Sequence, residues 1–400
     1  PKEKVMAKDK KHNTEIVTKP QWFDGESVTI PMLQILKEDG SFHKNADMPE
    51  YDKDLIVKIH DTMQFIRTLD ERMIAAQRQG RISFYLASRG EEAESVASAA
   101  ALDDGDMIMG QYREQGALAY RGFTVEQFMN QLFSNEKDLG KGRQMPVHYG
   151  CADLNFMTIS SPLGTQIPQA TGYAFGQKMD KTGKCTICYF GEGAASEGDF
   201  HAALNMASVY KVPVIFFCRN NGYAISTPSQ GEQYGGDGIA PRGIGYGMKT
   251  IRIDGNDVFA VLKATQEARR LAVEENEPVL IEAMSYRMSG HSTSDDPTGY
   301  RTREEEDDWK VKDPLDRLQK WMMNEGWLDK DHVEEHHAEV KVKVLAALKE
   351  AEKVPAPHID ELINDVYDEP TPLLKEQLEE LKEHIRKYPD AYPKTSGRID

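Results

Sequence analysis

Basic side chains are in deficit: 49 Lys and Arg stand against 66 Asp and Glu, a net charge of −17 over 400 residues. A nucleic-acid-binding surface needs the opposite balance, so that class is excluded. Cysteine is scarcer still, with four in all, which argues against a disulfide-stapled secreted scaffold and for a reducing compartment. Cys185 and Cys188 have the spacing of a redox or zinc pair. They fall in one predicted strand, where residues three apart point to opposite faces, so packing is their expected role. No long hydrophobic run is present near the motifs; Val212 to Cys218 is far too short for a bilayer, and no membrane partner is expected. A secretory signal is absent. So is an initiating Met, and the start at Pro1 leads us to expect a removed presequence or an imposed boundary. His332 and His336 have helical ligand spacing, but among Glu334, Glu335 and His337 they are expected to face solvent.

What remains is an apolar content of 39%, enough for one large α/β domain with helical extensions. Residues 1–50 are polar and punctuated by Pro20, Gly25, Pro31, Gly40 and Pro49, and read as an extended arm. Residues 51–312 read as the α/β domain. It opens with an amphipathic helix from Asp52 to Gly80, whose buried stripe is Leu55, Ile59, Met63, Ile66, Leu69 and Met73. Further on, predicted strands at Met107 to Gly110, Lys184 to Phe190, Val212 to Cys218, Lys249 to Ile253 and Pro278 to Ala283 alternate with helices. The helices are placed at Glu91 to Ala101, Ile167 to Gly176, Ser196 to Tyr210 and Val258 to Val273, with a glycine-rich loop at Gly231 to Gly247. This alternation implies a mostly parallel sheet with helices on both faces, and a ligand crevice at the carboxyl ends of the strands. Residues 313–400 read as a charged helical extension ending in an amphipathic helix marked by Leu374, Leu378 and Leu381.

Two strand ends carry the chemistry. Lys184 to Phe190 runs into Gly191-Glu192-Gly193, where the glycines permit a tight turn and close approach of a ligand, and Glu192 offers a hard oxygen. The helix from Ser196 turns its free N–H groups toward that turn and favours an anion. The next strand ends in Arg219-Asn220-Asn221-Gly222-Tyr223, adding amide oxygens and a cation to the same crevice. Magnesium takes about six oxygens and usually borrows some from a diphosphate, so the pattern reads as a magnesium–diphosphate site. A dinucleotide fingerprint fits poorly. Its third glycine position holds Ser196, and the following strand ends in Arg219-Asn220 instead of an acid for a ribose. Tyr112 and Arg113, after the Met107 strand, also suit a phosphate.

The paired turns resemble the thiamine diphosphate-binding fold, whose signature is Gly-Asp-Gly and, one strand–helix unit later, Asn-Asn. Glu192 stands where that signature has Asp, one methylene longer. Further motifs appear in order: Gly80 to Tyr85, Gly110 to Glu114, Lys141 to His148, Gly191 to Gly198, Arg219 to Thr227 and His291 to Asp296. With them the chain resembles the α subunit of the 2-oxo acid dehydrogenase decarboxylase component, branched-chain type, over about residues 50–390.

The resemblance implies thiamine diphosphate, Mg²⁺ and K⁺ as cofactors. It assigns Glu192, Asn221 and the Tyr223 carbonyl to magnesium, and Tyr112, Arg113, Arg219 and His291 to the diphosphate. Ser161 and the Leu163 backbone would hold the aminopyrimidine, with Gly193 and Ala194 beside the diphosphate. Ser160, Pro162, Thr165 and Gln166 would form a potassium site, and Gln111 would line the substrate entrance. His291 would be catalytic, donating a proton or polarising the acceptor. Ser292 matches an inhibitory phosphorylation position, and Thr302 stands at a second one where the family usually has Ser.

A single cofactor-binding domain is half of the catalytic unit in this fold, so a β subunit and an α₂β₂ heterotetramer are implied. The expected reaction is decarboxylation of a branched-chain 2-oxo acid, then acyl transfer to the lipoyl group of an acyltransferase core. A regulatory kinase and phosphatase are also implied. So is the mitochondrial matrix, or the cytoplasm if the source is bacterial. A pyruvate-type α subunit, suggested by Tyr300 to Glu305, and a non-catalytic assembly subunit are the alternatives. Ser292 to Asp296 and Ile159 to Gln166 favour the branched-chain type.

Overall fold

A computed structural model of the chain describes residues 17–25, 28–392 and 399. Its strands are β1 (Met32–Leu33), β2 (Met107–Met109), β3 (Phe156–Met157), β4 (Thr186–Gly191), β5 (Val214–Asn220), β6 (Tyr223–Ala224), β7 (Thr227–Pro228), β8 (Lys249–Asp254) and β9 (Val279–Met284). Seven of them form one sheet in the order β1-β8-β9-β5-β4-β2-β3, parallel throughout. β6 and β7 make a small antiparallel hairpin.

The central strands are apolar along their whole length because both faces are covered. Alternate residues feed two cores. Ile187, Tyr189, Ile215 and Phe217 pack in one, while Cys188, Phe190, Phe216 and Cys218 pack in the other. The first core lies under the helices Lys53–Arg78, Glu92–Ala100 and Val258–Glu275; the second lies under Gln166–Asp180 and Gly198–Tyr210. Cys185 belongs to the first and Cys188 to the second, as their spacing on a strand requires, and all four cysteines are free and buried.

The helix Lys53–Arg78 is capped by Asp52, whose carboxylate accepts from the Leu55 N–H at 2.8 Å. Ile59, Met63, Ile66, Leu69 and Met73 are fully buried, and Gly80, with φ +72, ends the run. No helix among the described residues is long and apolar enough to cross a membrane.

Four features differ from the sequence expectation. The arm is more than extended coil: Met32–Leu33 adds a parallel edge strand to β8. The Asp257 carboxylate holds it by accepting from the Ile35 and Leu36 N–H groups at 2.6 and 2.7 Å. The glycine-rich loop contains a short helix, Ala240–Gly245, with Pro241 in its first turn. The helix expected from Ser196 begins at Gly198, because a 3₁₀ turn, Ala194–Ser196, and an extended Glu197 intervene. His336 does not face solvent freely. Its helix, Lys330–Ala351, docks on Lys53–Arg78, which places the His336 ring half-buried, 3.5 Å from the Asp61 carboxylate. His332 is exposed.

Candidate functional site

Gly191 of β4 pairs in register with Arg219 of β5, so both motif turns emerge side by side at the carboxyl edge of the sheet. They open into a cavity of about 390 Å³ lined also by Tyr112, Arg113, Ser161, Leu163 and His291. Gly193 is needed for packing. A Cβ there would lie 2.8 Å from that of Ala224 in the β6–β7 hairpin.

Glu192 is buried. Its carboxylate accepts from Ser229 Oγ at 2.9 Å and from the Asn221 N–H at 3.3 Å. Burial pushes its pKa up, because removing a carboxylate from water disfavours its charge. A cation would reverse that shift. Asn221 donates its Nδ2 to Glu91 Oε1 at 2.9 Å, while its Oδ1 accepts from the Tyr223 N–H at 3.2 Å. The Tyr223 carbonyl accepts from Arg287 Nη1 at 3.4 Å.

The opposite wall is cationic. Arg219 is buried between Glu91, at 2.5 Å from Nη1, and Glu114, at 2.7 Å from Nε. Its Nη2 is buried with no partner among the described residues. Arg113 Nη1 donates to the Ala87 carbonyl, and Nη2 donates to the His291 carbonyl at 2.6 Å. The Tyr112 ring packs edge-on to His291, with centroids 6.0 Å apart. His291 is held down to about pKa 4, first by burial and then by Arg113 and Arg287. Its imidazole is therefore neutral at physiological pH.

Ser160, Pro162 and Thr165 come together in one turn. Thr165 Oγ1 donates to the Pro162 carbonyl at 3.0 Å and lies 3.5 Å from Ser160 Oγ. Gln166 turns inward, its Nε2 donating to the Tyr189 carbonyl at 3.1 Å. Gln111 lines the cleft, but its Oε1 accepts from the Gly191 N–H at 2.7 Å and so props the glycine turn. Ser292 is half-buried next to His291, whose N–H donates to Asp295 at 2.5 Å. Thr302 is exposed and caps the helix Arg303–Lys310 through its Oγ1, which accepts from the Glu305 N–H.

Sequence reasoning missed Glu91, Glu114, Ser229 and Arg287. Only Glu114, inside the motif Gly110 to Glu114, left a local trace.

An unpartnered guanidinium nitrogen, a carboxylate whose pKa is raised by burial and an amide beside it fit a diphosphate bound with a hard metal ion. A cradle of this kind at the carboxyl edge of a parallel sheet marks an α/β protein suited to a diphosphate-bearing cofactor. Residues 60–360 match the family described as dehydrogenase E1 component, and the chain belongs to this thiamine diphosphate-dependent family. It is 53% identical over 366 residues to 2-oxoisovalerate dehydrogenase subunit alpha, mitochondrial, of Dictyostelium discoideum, covering 91% of this chain and 83% of that protein. Identity to the Homo sapiens protein of the same name is 50% over 365 residues, covering 91% and 82%. The Arabidopsis thaliana subunit alpha 1 is 47% identical over 371 residues, covering 92% and 78%.

Proposed function

We propose that this chain is the α subunit of a thiamine diphosphate-dependent branched-chain 2-oxo acid dehydrogenase of the mitochondrial matrix. The convergence of Glu192, Asn221 and the unpartnered Arg219 nitrogen in one cleft carries the cofactor reading. The names of the relatives support the branched-chain substrate and the compartment.

Thiamine diphosphate, when bound, supplies the nucleophilic carbon and electron sink that loss of CO₂ from a 2-oxo acid requires. The chain's residues bind and orient it. Glu192, Asn221 and the Tyr223 carbonyl hold Mg²⁺; Tyr112, Arg113, Arg219 and His291 hold the diphosphate; Gly193 and Ala194 leave room beside it. Ser161 and the Leu163 backbone fix the aminopyrimidine. Ser160, Pro162, Thr165 and Gln166 would hold K⁺ in the turn that carries Ser161. Gln111 lines the substrate entrance. His291 supplies a proton or polarises the acceptor during acyl transfer to a lipoyl group.

A β subunit completes the site in an α₂β₂ heterotetramer, which serves a lipoyl-bearing acyltransferase core. A kinase and a phosphatase act on Ser292 and Thr302. Phosphate on Ser292 adds nearly two negative charges beside a bound diphosphate and repels it.

The test is turnover by the chain with its cognate β subunit, thiamine diphosphate and Mg²⁺, measured with an artificial electron acceptor. Strong preference for 3-methyl-2-oxobutanoate over pyruvate is expected. Preference for pyruvate would overturn the substrate assignment, and bound cofactor without turnover would make this a non-catalytic subunit.

A further inference from the structure

The motif Met145-Pro146-Val147-His148 has no role in the reading above, although its histidine reaches the cleft. His148 is buried, and its Nδ1 lies 3.1 Å from the Pro146 carbonyl. A carbonyl oxygen only accepts, so in this contact Nδ1 carries the proton. In the neutral ring Nε2 is then a bare acceptor, and it lies 2.8 Å from Ser161 Oγ. Ser161 has one hydroxyl proton and gives it to His148. What its oxygen offers to the cleft is lone pairs alone.

The turn that sets this geometry is held from both sides. Val147 has φ +66, a left-handed conformation that β-branched residues rarely adopt. Gln131 clamps it, accepting from the Val147 N–H at 3.0 Å and donating to the Met145 carbonyl at 2.7 Å. Strained backbone persists only where its surroundings over-determine it, and here it aims the next side chain.

We propose that His148 is a positioning residue that fixes the hydrogen-bonding polarity of Ser161, making it an acceptor that selects an amino-bearing ring. This rests on the reading that the cleft takes thiamine diphosphate, whose aminopyrimidine carries such N–H donors. Arg113 and Arg219, the proposed diphosphate ligands, make no hydrogen bond to His148 or Ser161 among the described residues.

The test is calorimetric binding to the α₂β₂ heterotetramer with Mg²⁺, using thiamine diphosphate and, separately, inorganic pyrophosphate. His148→Ala and Ser161→Ala are each expected to weaken thiamine diphosphate by roughly 3- to 10-fold, about what one hydrogen bond contributes. The double variant is expected to be no weaker than either single one, since both remove the same contact. Pyrophosphate should bind all four proteins equally. His148→Gln, whose amide oxygen can accept from Ser161, should recover part of the loss. Additive losses in the double variant, or an equal loss for pyrophosphate, would overturn the proposal and leave His148 as loop support. Failure of the unsubstituted heterotetramer to bind thiamine diphosphate at all would overturn the cofactor reading together with it.

Discussion

Glu91 accepts a hydrogen bond from the Asn221 amide nitrogen at 2.9 Å, and this contact decides which end of the amide faces the cleft. A carboxylate can only accept, so the nitrogen is drawn to Glu91 and the oxygen is left for other partners. The same carboxylate takes Arg219 Nη1. Burial alone would raise the pKa of Glu91, but Arg219 and Arg113 outweigh it and hold the group below the usual carboxylate range. One buried acid thus orients the proposed metal ligand and the proposed diphosphate ligand together.

Glu91→Gln would break that arrangement, because an amide side chain can meet Asn221 with either end. Partners that orient metal ligands typically contribute 10- to 100-fold to affinity, so Mg²⁺ binding should weaken by roughly that factor. Titration of Mg²⁺ into the heterotetramer with thiamine diphosphate present measures this. An unchanged Kd would show that Asn221 orients itself without Glu91.

The depressed His291 leads to a second prediction. Its pKa falls from the ordinary 6.5 to about 4 in the folded chain. Between those values the unfolded chain binds the proton and the folded chain does not. His291's contribution to stability is therefore complete above about pH 6.5 and is lost as the pH falls toward about 4. A bound diphosphate offsets the field of Arg113 and Arg287 and should raise the pKa toward its ordinary value. Cofactor binding near pH 5.5 should then take up protons, and binding at pH 8 should not. Calorimetry in two buffers of different ionisation enthalpy reads the uptake. His291→Asn should abolish it, and uptake unaltered in that variant would assign the proton to another group.

Gly193→Ala tests the cradle by sterics alone. The backbone there has φ −57, which alanine adopts freely, so conformation is not the obstacle. The new Cβ would sit 2.8 Å from the Ala224 Cβ and push the β6–β7 hairpin, and Tyr223 with it, away from Glu192. Overpacking of this kind costs about 1–3 kcal/mol. A lower Tm together with weaker Mg²⁺ binding is expected. Wild-type values for both would mean that the hairpin yields without moving Tyr223.

The parts of this architecture that were legible in the sequence are those encoded locally. The run from Thr186 to Gly191 announces a doubly covered strand by its composition, and the turns around Glu192 and Asn221 announce their chemistry by residue type. The opposed faces of Cys185 and Cys188 follow from the pitch of a strand. What escaped depends on partners distant in the chain. Glu91 looks like any acid at a helix start until Arg219 and Asn221, some 130 residues on, close over it. His336 reads as solvent-facing because its helix is polar, and nothing local reveals that Asp61 and His60 lie under one edge. Two residues, Met32 and Leu33, are too few to show a strand period.

That short strand bears on the order in which the sheet is completed. The carboxylate that fastens Ile35 lies 222 residues further along the chain. Contacts so distant in sequence form slowly, because the intervening loop must be closed before they reward it. Asp257 also caps the helix Val258–Glu275, so the anchor is set once that helix has formed. The sheet therefore gains its β1 edge late, only when β8 and Asp257 are in place to receive it.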